Sequence, residues 1–391
     1  MKNISILGVT GSIGKSTLKI IDNFSDELNL IAISVNRQIR ELLSIIDKYK
    51  PKYAVVFNEH EMQSFFNSKE TVYNGVSIYS GNKGLEKVCS DRENDLILNG
   101  ISGKAGLIPS LKIVENGIDL ALANKESMVC AGKILNTLSQ KNNCKIIPVD
   151  SEHSAVFQLL QNHDKESVKN IYLTASGGPF WRLDKNRWGE ITIEDALNHP
   201  TWKMGTKITI DSATMANKGL EVIEANELFG FDYSQIKVLI HPQSLIHSMI
   251  ECVDGELYAQ IGPKDMSLPI MNAIFYPKFK NNAFNNLDFS KAINLELIPV
   301  DFDKFKMLSL AYHCGKKGGM FPTFYNTVNE LLVELFLAGR ISFLKIETYT
   351  EKGLEIFEKN NNIDKKTISI ENIKLIEKES ERIINEIMGN V

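Results

Sequence analysis

The stretch ISILGVTGSIGKSTLKIIDNF, residues 4–24, decides the fold of the first part of the chain. Its apolar start, residues 4–7, leads into three glycines with GxxGxxG spacing, Gly8, Gly11 and Gly14, and a segment of helical spacing follows. Glycines in this position allow a tight turn and let the backbone approach a pyrophosphate that lies on the N-terminus of the next helix. The strand, loop and helix therefore predict a dinucleotide-binding domain.

The same loop has two competing interpretations. Gly14-Lys15-Ser16 resembles the end of a P-loop, but that motif requires a further glycine at the position of Val9. A kinase or other NTPase is thereby disfavoured, although it stays open as an alternative. A glycine turn that binds no ligand is a second alternative, which the position between a strand and a helix disfavours.

Short apolar runs recur through residues 1–150. Those after the first lie at residues 30–33, 53–57, 96–98, 120–123 and 146–149, with segments of helical spacing such as 105–116 between them. The runs are rich in Ile, Val and Leu without strict alternation, which is typical of parallel strands buried on both faces. Residues 1–150 are therefore predicted to form a doubly wound, Rossmann-like α/β domain.

The residues after the second predicted strand indicate which dinucleotide is bound. An enzyme that uses NAD typically carries an acidic residue there, bonded to the ribose 2′-hydroxyl. Here residues 33–40 read ISVNRQIR, without an acid, and Arg37 is placed to receive a 2′-phosphate, with Ser34 or Arg40 as helpers. The pattern predicts NADPH, and an ordinary exposed arginine is the alternative.

Composition limits the classes of partner. The 391-residue chain has a formal net charge of −4, which gives no reason to expect nucleic acid or a membrane surface as a partner. No apolar stretch approaches the length of a transmembrane helix. Five cysteines without a CxxC pair are typical of reduced thiols and predict a cytoplasmic protein.

The remaining chain divides into three predicted parts. Residues 151–280 are predicted to form an α+β catalytic domain with a long lid loop, about 176–206, and strands near 170–175, 207–210, 238–240, 248–252 and 257–261. A helix is expected to begin near Asp211, after the second of these strands. The Asn-rich residues 281–300 predict a linker.

Residues 301–391 are predicted to form an α-helical domain. Thr327 and Glu330 fit a capping box at the start of one helix, and apolar residues then recur at helical spacing. A second apolar stripe consists of Ile373, Ile376, Ile383, Ile384 and Ile387. A packing role is predicted for this part.

Polar residues gather where predicted strands end, which is where open α/β sheets bind ligands. Asn124-Lys125-Glu126-Ser127 follows one strand, and Asp150 and Glu152 follow another. In an extended segment these two carboxylates would point the same way, and a hard divalent cation with oxygen ligands would relieve their repulsion. A solvated strand end is the alternative.

The helix predicted after Asp211 carries a second polar cluster. Asn217, Glu221 and Glu224 share one face, and Lys218 lies beside Glu221. Phosphate and metal binding would use this combination of amide, ammonium and carboxylates, whereas paired solvent-exposed charges are the alternative.

Together these motifs resemble the 1-deoxy-D-xylulose 5-phosphate reductoisomerase family. The matching segments keep the family's order; they are GVTGSIG (8–14), ANKES (123–127), PVDSEH (148–153), SGGPF (176–180), HPTWKMG (199–205), DSATM (211–215), NKGLE (217–221) and HPQSLIHS (241–248). The C-terminal part is similar mainly in its helical character.

The resemblance implies an activity and an assembly. Family members rearrange 1-deoxy-D-xylulose 5-phosphate through a retro-aldol and aldol sequence, and then reduce it with NADPH to 2-C-methyl-D-erythritol 4-phosphate. This reaction belongs to the non-mevalonate route to isoprenoid precursors. A divalent ion, Mg²⁺ or Mn²⁺, is expected, and the residue types do not separate the two. A homodimer is also implied.

The resemblance also implies roles for individual residues. The expected metal ligands are Asp150, Glu152 and Glu221, which together with Lys125 form the expected catalytic set. The expected substrate contacts are Lys125, Ser151, Glu152, Ser176, His199, Trp202, Ser212, Asn217, Lys218 and Glu221, with Trp202 in the lid. The expected cofactor contacts are Thr10, Gly11, Ser12, Ile13, Asn36, Arg37, Asn124, Glu126 and Gly205. Asn36 and Arg37 replace a glycine and a lysine that are usual in the family, and the positive charge is kept.

Three other functions remain as alternatives. An NADPH-dependent dehydrogenase of another sugar phosphate or hydroxy acid would keep the glycine loop but would not need the three carboxylates. A phosphotransferase would bind ATP in preference to NADPH. A catalytically inactive nucleotide sensor would not need the lysine, carboxylate and phosphate-pocket residues together.

Overall fold

A computed structural model describes residues 1–202, 204–359 and 367–389, so Lys203 of the predicted lid and residues 360–366 and 390–391 of the predicted helical domain lie outside the described residues. The chain packs into two compact units. The first contains Met1–Ser127, Ile134–Ser154 and Asp265–Asn286, and the second contains Met128–Lys133, Ala155–Lys264 and Leu287–Val391. These units combine separate stretches of chain, whereas the predicted functional domains, 1–150, 151–280 and 301–391 with a linker at 281–300, are continuous and stay predictions.

One sheet forms the centre of the first unit. Its strands are β1 Lys2–Leu7, β2 Leu28–Val35, β3 Tyr53–Val56, β4 Thr71–Tyr73, β5 Val76–Ser80, β6 Leu96–Asn99, β7 Asp119–Leu122 and β8 Ile146–Pro148. They lie in the order β4-β5-β3-β2-β1-β6-β7-β8, and only β4 pairs antiparallel with its neighbour. Every apolar run predicted as a strand within residues 1–150 is a strand, and the doubly wound fold is confirmed.

Helices connect these strands. They are α1 Ser12–Asn23, α2 Ile39–Tyr49, α3 Glu59–Phe66, α4 Gly81–Ser90, α5 Leu107–Glu115 and α6 Lys125–Asn142. A further helix, α7 Ser151–Leu159, follows the last strand, β8. In α2, buried Ile39, Leu42, Ile45 and Ile46 recur at helical spacing, as expected for a helix that packs one apolar face on a sheet.

A hairpin in the first unit was not predicted. β4 and β5 are joined by Asn74-Gly75, and both residues have positive φ, 47° and 83°. This is the two-residue turn that the Asn-Gly pair favours, because both residues tolerate left-handed backbone. The strands themselves are short and half-exposed, so they lack the apolar run that identified the others.

A second sheet organises the second unit. Its strands are β9 Val168–Ala175, β10 Ile236–Ile240, β11 Ile246–Cys252, β12 Leu257–Ile261 and β13 Ile298–Pro299, in the order β12-β11-β9-β10-β13. β9 and β10 are parallel, and the other pairs are antiparallel. The strands predicted near 170–175, 238–240, 248–252 and 257–261 are confirmed.

The strand predicted at residues 207–210 is wrong. After the short α8, Ile193–Leu197, the chain forms helix α9, Thr206–Thr214, and then α10, Ala216–Phe229. Lys-Ile-Thr-Ile alternates and is β-branched, which favours a strand locally. Burial of consecutive residues Thr209, Ile210 and Asp211 against neighbouring helices overrides that preference.

The C-terminal region is helical, as predicted. α11, Ser267–Phe275, belongs to the first unit, and the second unit continues with α12 Lys306–Lys317, α13 Phe321–Leu337, α14 Phe343–Lys359 and α15 Ile370–Gly389. The capping box at Thr327 is wrong, because α13 begins at Phe321 with Pro322 in its first turn and Thr327 is buried inside the helix. Among the described helices, none is both long and apolar enough to cross a membrane.

An aromatic cluster holds the chain after β9 against the C-terminal helices. Trp188 is 1% exposed and packs edge-on against Phe305 and Phe343. Beside it, Lys185 Nζ donates to Glu347 Oε2 at 2.6 Å. Burial lowers the pKa of Lys185 and raises that of Glu347, because desolvation opposes both charges. Part of the predicted lid is therefore anchored by packing and by a paired charge.

Phe343 should be a large contributor to the stability of the second unit. Its ring contacts Phe180, Trp188 and Phe336, and its side chain is 1% exposed. We expect Phe343→Ala to lower the free energy of unfolding by about 3–5 kcal/mol, because it leaves a cavity in a packed core. Urea denaturation followed by circular dichroism measures this loss. Leu375→Ala, at a half-exposed position, is the control, and an equal loss in both variants would contradict the packing role.

Candidate active site

The glycine loop has the geometry of a phosphate-binding turn. Gly8 has a φ of 79°, and its N–H donates to the Ser34 carbonyl oxygen at 3.1 Å. A Cβ at Gly14 would lie 2.4 Å from the Val9 carbonyl oxygen, so no larger residue fits. Gly11 precedes α1, and no side chain caps that helix. The N–H groups at the start of α1 are therefore available to an anion.

The loop lies where the order of the sheet reverses. β2 pairs with one edge of β1, and β6 pairs with the other edge of β1. A Cβ at Gly8 would lie 3.1 Å from the Gly100 carbonyl oxygen, so the loops after β1 and β6 meet there. Such switch points are where open α/β sheets bind nucleotides. Thr10, Gly11, Ser12 and Ile13 line the surface of this turn, half-buried or exposed.

The residues expected to select NADPH follow β2. Asn36 and Arg37 are both exposed immediately after this strand. The Thr10 hydroxyl donates to Gln38 Oε1 at 3.5 Å, which links the glycine loop to the loop carrying Arg37. The structure therefore brings the two predicted parts of the nucleotide site together.

Asn124 braces the loop that follows β6. It is 2% exposed, and its Oδ1 accepts the Ser127 N–H at 3.0 Å as the N-cap of α6. Its Nδ2 donates to the Ile101 and Gly103 carbonyl oxygens at 2.7 and 2.8 Å and lies 3.1 Å from Glu126 Oε2. Contacts of Asn124 and Glu126 with a cofactor stay predictions.

Lys125 and Asp150 form a largely buried ion pair in the first unit. Lys125 Nζ donates to Asp150 Oδ2 at 2.8 Å, and the lysine is 6% exposed. Asp150 Oδ1 accepts the Glu152 N–H at 3.2 Å, and the Ser151 hydroxyl donates to the Glu152 carboxylate. Because α7 begins at Ser151, the extended conformation expected for the Asp150–Glu152 pair is wrong. The helical turn still leaves carboxylate oxygens of Asp150 and Glu152 within 4.8 Å of one another.

Helix α10 carries the second polar cluster. Glu221 is 1% exposed, and its Oε1 accepts from Asn217 Nδ2 at 2.5 Å. Its other oxygen accepts from the Lys218 ammonium, which is also buried. The predicted shared face of Asn217, Glu221 and Glu224 is confirmed. The two carboxylates are buried and Asn217 is half-buried, so they are not solvated surface charges. A buried carboxylate needs such donors.

Ser176, His199 and Ser212 converge in the second unit. His199 Nε2 lies 3.1 Å from both serine hydroxyl oxygens, and its Nδ1 accepts the N–H groups of Thr201 and Trp202 at 3.1 and 2.9 Å. Since Nδ1 is an acceptor, the proton is on Nε2. Desolvation lowers the pKa of His199 from 6.5 to about 4, so the ring is neutral near pH 7. Two hydroxyls and one N–H donor could bind a phosphate.

The lid residues are placed in part. Trp202 is half-buried, and exposed Gly205 precedes α9 as its N-cap. Gly177 and Gly178 turn the chain after Ser176 with positive φ, and a Cβ at Gly178 would lie 2.7 Å from the Ser212 carbonyl oxygen. The close approach of these two segments thus depends on glycine.

The sequence pattern predicted no role for the side chains of Asp211 and Asn329. Asp211 is 2% exposed and accepts from Asn329 Nδ2 at 2.8 Å. These residues are 118 positions apart, so no local spacing pattern could reveal the pair.

Comparisons with known proteins agree along the whole chain. A family model described as 1-deoxy-D-xylulose 5-phosphate reductoisomerase matches residues 4–132, and models of its C-terminal domains match residues 146–229 and 261–383. The chain is 44% identical over 379 residues to the 1-deoxy-D-xylulose 5-phosphate reductoisomerase of Clostridium botulinum (strain Loch Maree / Type A3), with 97% of each chain covered.

Solved structures give the same relationship. A crystal structure of DOX-P reductoisomerase in complex with NADPH, fosmidomycin and magnesium is 33% identical, with a TM-score of 0.90 and coverage of 100% of this chain and 98% of that one. The Zymomonas mobilis enzyme in complex with NADPH is 34% identical, with a TM-score of 0.88 and full coverage of both chains. Sequence and fold together establish that this chain belongs to the 1-deoxy-D-xylulose 5-phosphate reductoisomerase family.

Proposed function

We propose that this chain isomerises and reduces 1-deoxy-D-xylulose 5-phosphate to 2-C-methyl-D-erythritol 4-phosphate, with NADPH as reductant and a divalent metal ion, in the non-mevalonate route to isoprenoid precursors. The observation that carries the proposal is the buried Glu221 of α10, paired with Lys218 and Asn217. Burying the charge of Glu221 costs free energy, and α10 could form a stable helix without this charge. The presence of a buried Glu221 in a member of this family therefore supports a catalytic role for this residue.

Asp150, Glu152 and Glu221 are proposed to hold the metal ion. Their donor set is entirely carboxylate oxygen, which suits Mg²⁺, and Mn²⁺ is proposed as an alternative. When bound, the ion supplies positive charge to oxygens of the substrate that become negative during the rearrangement. Lys125 Nζ and the Ser151 hydroxyl are proposed to donate to the same substrate oxygens, because both already donate to the ligand carboxylates.

The substrate phosphate is proposed to bind Ser176, His199, Ser212, Asn217 and Lys218. The neutral His199 ring offers its Nε2 proton without adding a charge, whereas Lys218 supplies the ammonium. Binding energy at a phosphate remote from the reacting carbons orients the substrate. Trp202 and the lid are proposed to exclude water from the aldehyde intermediate.

NADPH is proposed to lie across the glycine loop, with its pyrophosphate at the N-terminus of α1. Thr10, Gly11, Ser12 and Ile13 would surround the pyrophosphate, and Asn36 and Arg37 would meet the 2′-phosphate. Asn124, Glu126 and Gly205 are proposed to contact the nicotinamide half. The exposed Arg37 after β2 supports the choice of NADPH over NADH.

A homodimer in the cytoplasm is also proposed. Edge strand β12 exposes Leu257 and Ile261, 60% and 45% accessible, and an apolar edge of this kind is usually covered. All five cysteines are buried thiols, which supports a reducing compartment. Sedimentation equilibrium tests the assembly, and a monomer at micromolar concentration would reject it.

Glu221→Gln is the sharpest test of the reaction. The wild-type chain should oxidise NADPH only when 1-deoxy-D-xylulose 5-phosphate and Mg²⁺ or Mn²⁺ are both present. We expect the variant to lose at least about a thousandfold in kcat/KM, because an essential metal ligand loses its charge, while its affinity for NADPH is kept. Nicotinamide absorbance measures turnover, and the exposed Glu355→Gln is the matched control. Near-normal turnover of Glu221→Gln across metal concentrations would reject the metal site.

Arg37 should determine the preference for the phosphorylated cofactor. Arg37→Ala is expected to raise KM for NADPH roughly tenfold to a hundredfold, since it removes a charge-assisted hydrogen bond, and to leave KM for NADH unchanged. Steady-state kinetics with both cofactors measure the ratio. Arg92→Ala removes an exposed arginine elsewhere and serves as the control. A parallel rise for both cofactors would argue against a 2′-phosphate contact.

Acid should loosen the turn that His199 holds. In the folded turn, His199 Nδ1 accepts the N–H groups of Thr201 and Trp202, and the pKa of His199 is lowered from 6.5 to about 4. Between about pH 4 and pH 6.5 the folded turn therefore binds fewer protons than the turn in which these hydrogen bonds are broken. Stability of the turn is therefore kept above pH 6.5 and declines as the pH falls toward 4. We expect amide-exchange protection of Thr201 and Trp202, corrected for intrinsic rates, to fall from about pH 7 to about pH 5. His199→Asn retains an acceptor that does not titrate, and protection that falls equally in this variant would exclude His199 as the cause.

A further inference from the structure

The proposed phosphate pocket is built on two consecutive helices. Ser212 lies near the end of α9, and Asn217 and Lys218 lie in the first turn of α10. Met215 joins the helices with a left-handed backbone, φ 63°, and its N–H donates to the Ser212 carbonyl oxygen at 3.2 Å. The position of the Ser212 hydroxyl relative to the Lys218 ammonium therefore depends on what holds each helix.

A buried carboxylate holds α9. Asp211 directly precedes Ser212, and its side chain is 3% exposed. Its Oδ2 accepts from Lys207 Nζ at 2.7 Å, and its Oδ1 accepts from Asn329 Nδ2 at 2.8 Å. Asn329 is completely buried and belongs to α13. Because a buried carboxylate is costly without donors to both oxygens, the amide of Asn329 fixes the rotation of α9 about its axis.

The same face of α13 also packs close to α10. Tyr325 lies one turn before Asn329, and its hydroxyl donates to the Met307 carbonyl oxygen at 3.0 Å. A Cβ at Gly219 would lie 3.1 Å from this hydroxyl and 2.5 Å from Cβ of Ala311, so α10 approaches this closely only because residue 219 is glycine. Both helices that carry the pocket therefore rest on neighbouring side chains of α13.

We propose that Asn329 is a positioning residue for the phosphate pocket. By donating to Asp211 it fixes α9, and thereby sets the Ser212 hydroxyl at the correct distance from Asn217 and Lys218. Asn329 itself does not touch the substrate. The proposal rests on the proposed function, which assigns these three residues to the phosphate.

A neighbouring asparagine separates positioning from simple stability. Asn326 lies on the same helix and is 2% exposed, but its Nδ2 donates to Cys130 Sγ at 3.7 Å and not to α9. Leucine at either position is close in volume and cannot donate. If α13 only supported the fold, the two substitutions would have equal effects on the kinetics.

The test compares Asn329→Leu with Asn326→Leu in the full chain, with NADPH and Mg²⁺ present. We expect Asn329→Leu to raise KM for 1-deoxy-D-xylulose 5-phosphate about tenfold, and the inhibition constant of inorganic phosphate in parallel, because the phosphate loses an aligned donor. Its kcat should fall by less, and its KM for NADPH should not change. Asn326→Leu should leave the substrate KM within about twofold of the wild type. An unchanged KM in Asn329→Leu, or equal changes in both variants, overturns the proposal.

Two further variants keep the result decisive. If Asn329→Leu does not fold, Asn329→Ser replaces it, because the shorter hydroxyl still cannot reach Asp211 and strains the core less. The same rise in the substrate KM is expected for Asn329→Ser, and its absence overturns the proposal.

Lys218→Met removes the ammonium of the pocket itself. If Lys218→Met raises the substrate KM while Asn329→Leu does not, only the positioning role fails. If Lys218→Met leaves KM unchanged in an enzyme that turns over, the phosphate pocket is misassigned and both proposals fail.

Discussion

A charge that is removed from water must be matched by donors inside the protein, and that requirement organises the polar half of this molecule. Glu221 and Asp211 are buried carboxylates, and each has a lysine within one helical turn together with an amide donor. Lys125 and Asp150 form a comparable pair in the first unit. Such groups tolerate little displacement, because an unmatched oxygen in the interior costs more free energy than a typical hydrogen bond contributes. The pairs therefore fix how the helices α6, α9 and α10 are oriented about their axes.

Much of the fold could be predicted because its strongest signals are local. Buried parallel strands need continuous apolar runs, and the run of residues 4–7 before Gly8 was sufficient to place the first βα unit. The failures also have local causes. Residues 207–210 have the alternating β-branched pattern of a strand, and only burial against other helices makes them helical. The hairpin of β4 and β5 has no apolar run, although its Asn74-Gly75 turn was a signal that could have revealed it.

The candidate site divides in the same way. Asn217, Lys218 and Glu221 lie within one helical turn, so spacing alone predicted their shared face. The pairing of Lys125 with Asp150 joins residues 25 positions apart, and that of Asp211 with Asn329 joins residues 118 apart. The spacing of residue types along the sequence does not reveal contacts between residues so far apart, because these contacts form only when sheets and helices pack. The tautomer of His199 is likewise set by the backbone N–H groups of Thr201 and Trp202, which only the folded turn supplies.

The tryptophans have a consequence for spectroscopy. All three, Trp181, Trp188 and Trp202, belong to the segment between β9 and α9, and the sequence places none in the first unit. Trp188 is enclosed by phenylalanine rings, whereas Trp202 is half-buried and adjoins His199. The intrinsic fluorescence of the protein is therefore a local signal, composed of one shielded emitter and two partly accessible ones. Tryptophan fluorescence therefore reports on this loop, and the sheet of the first unit contributes no tryptophan emission to the signal.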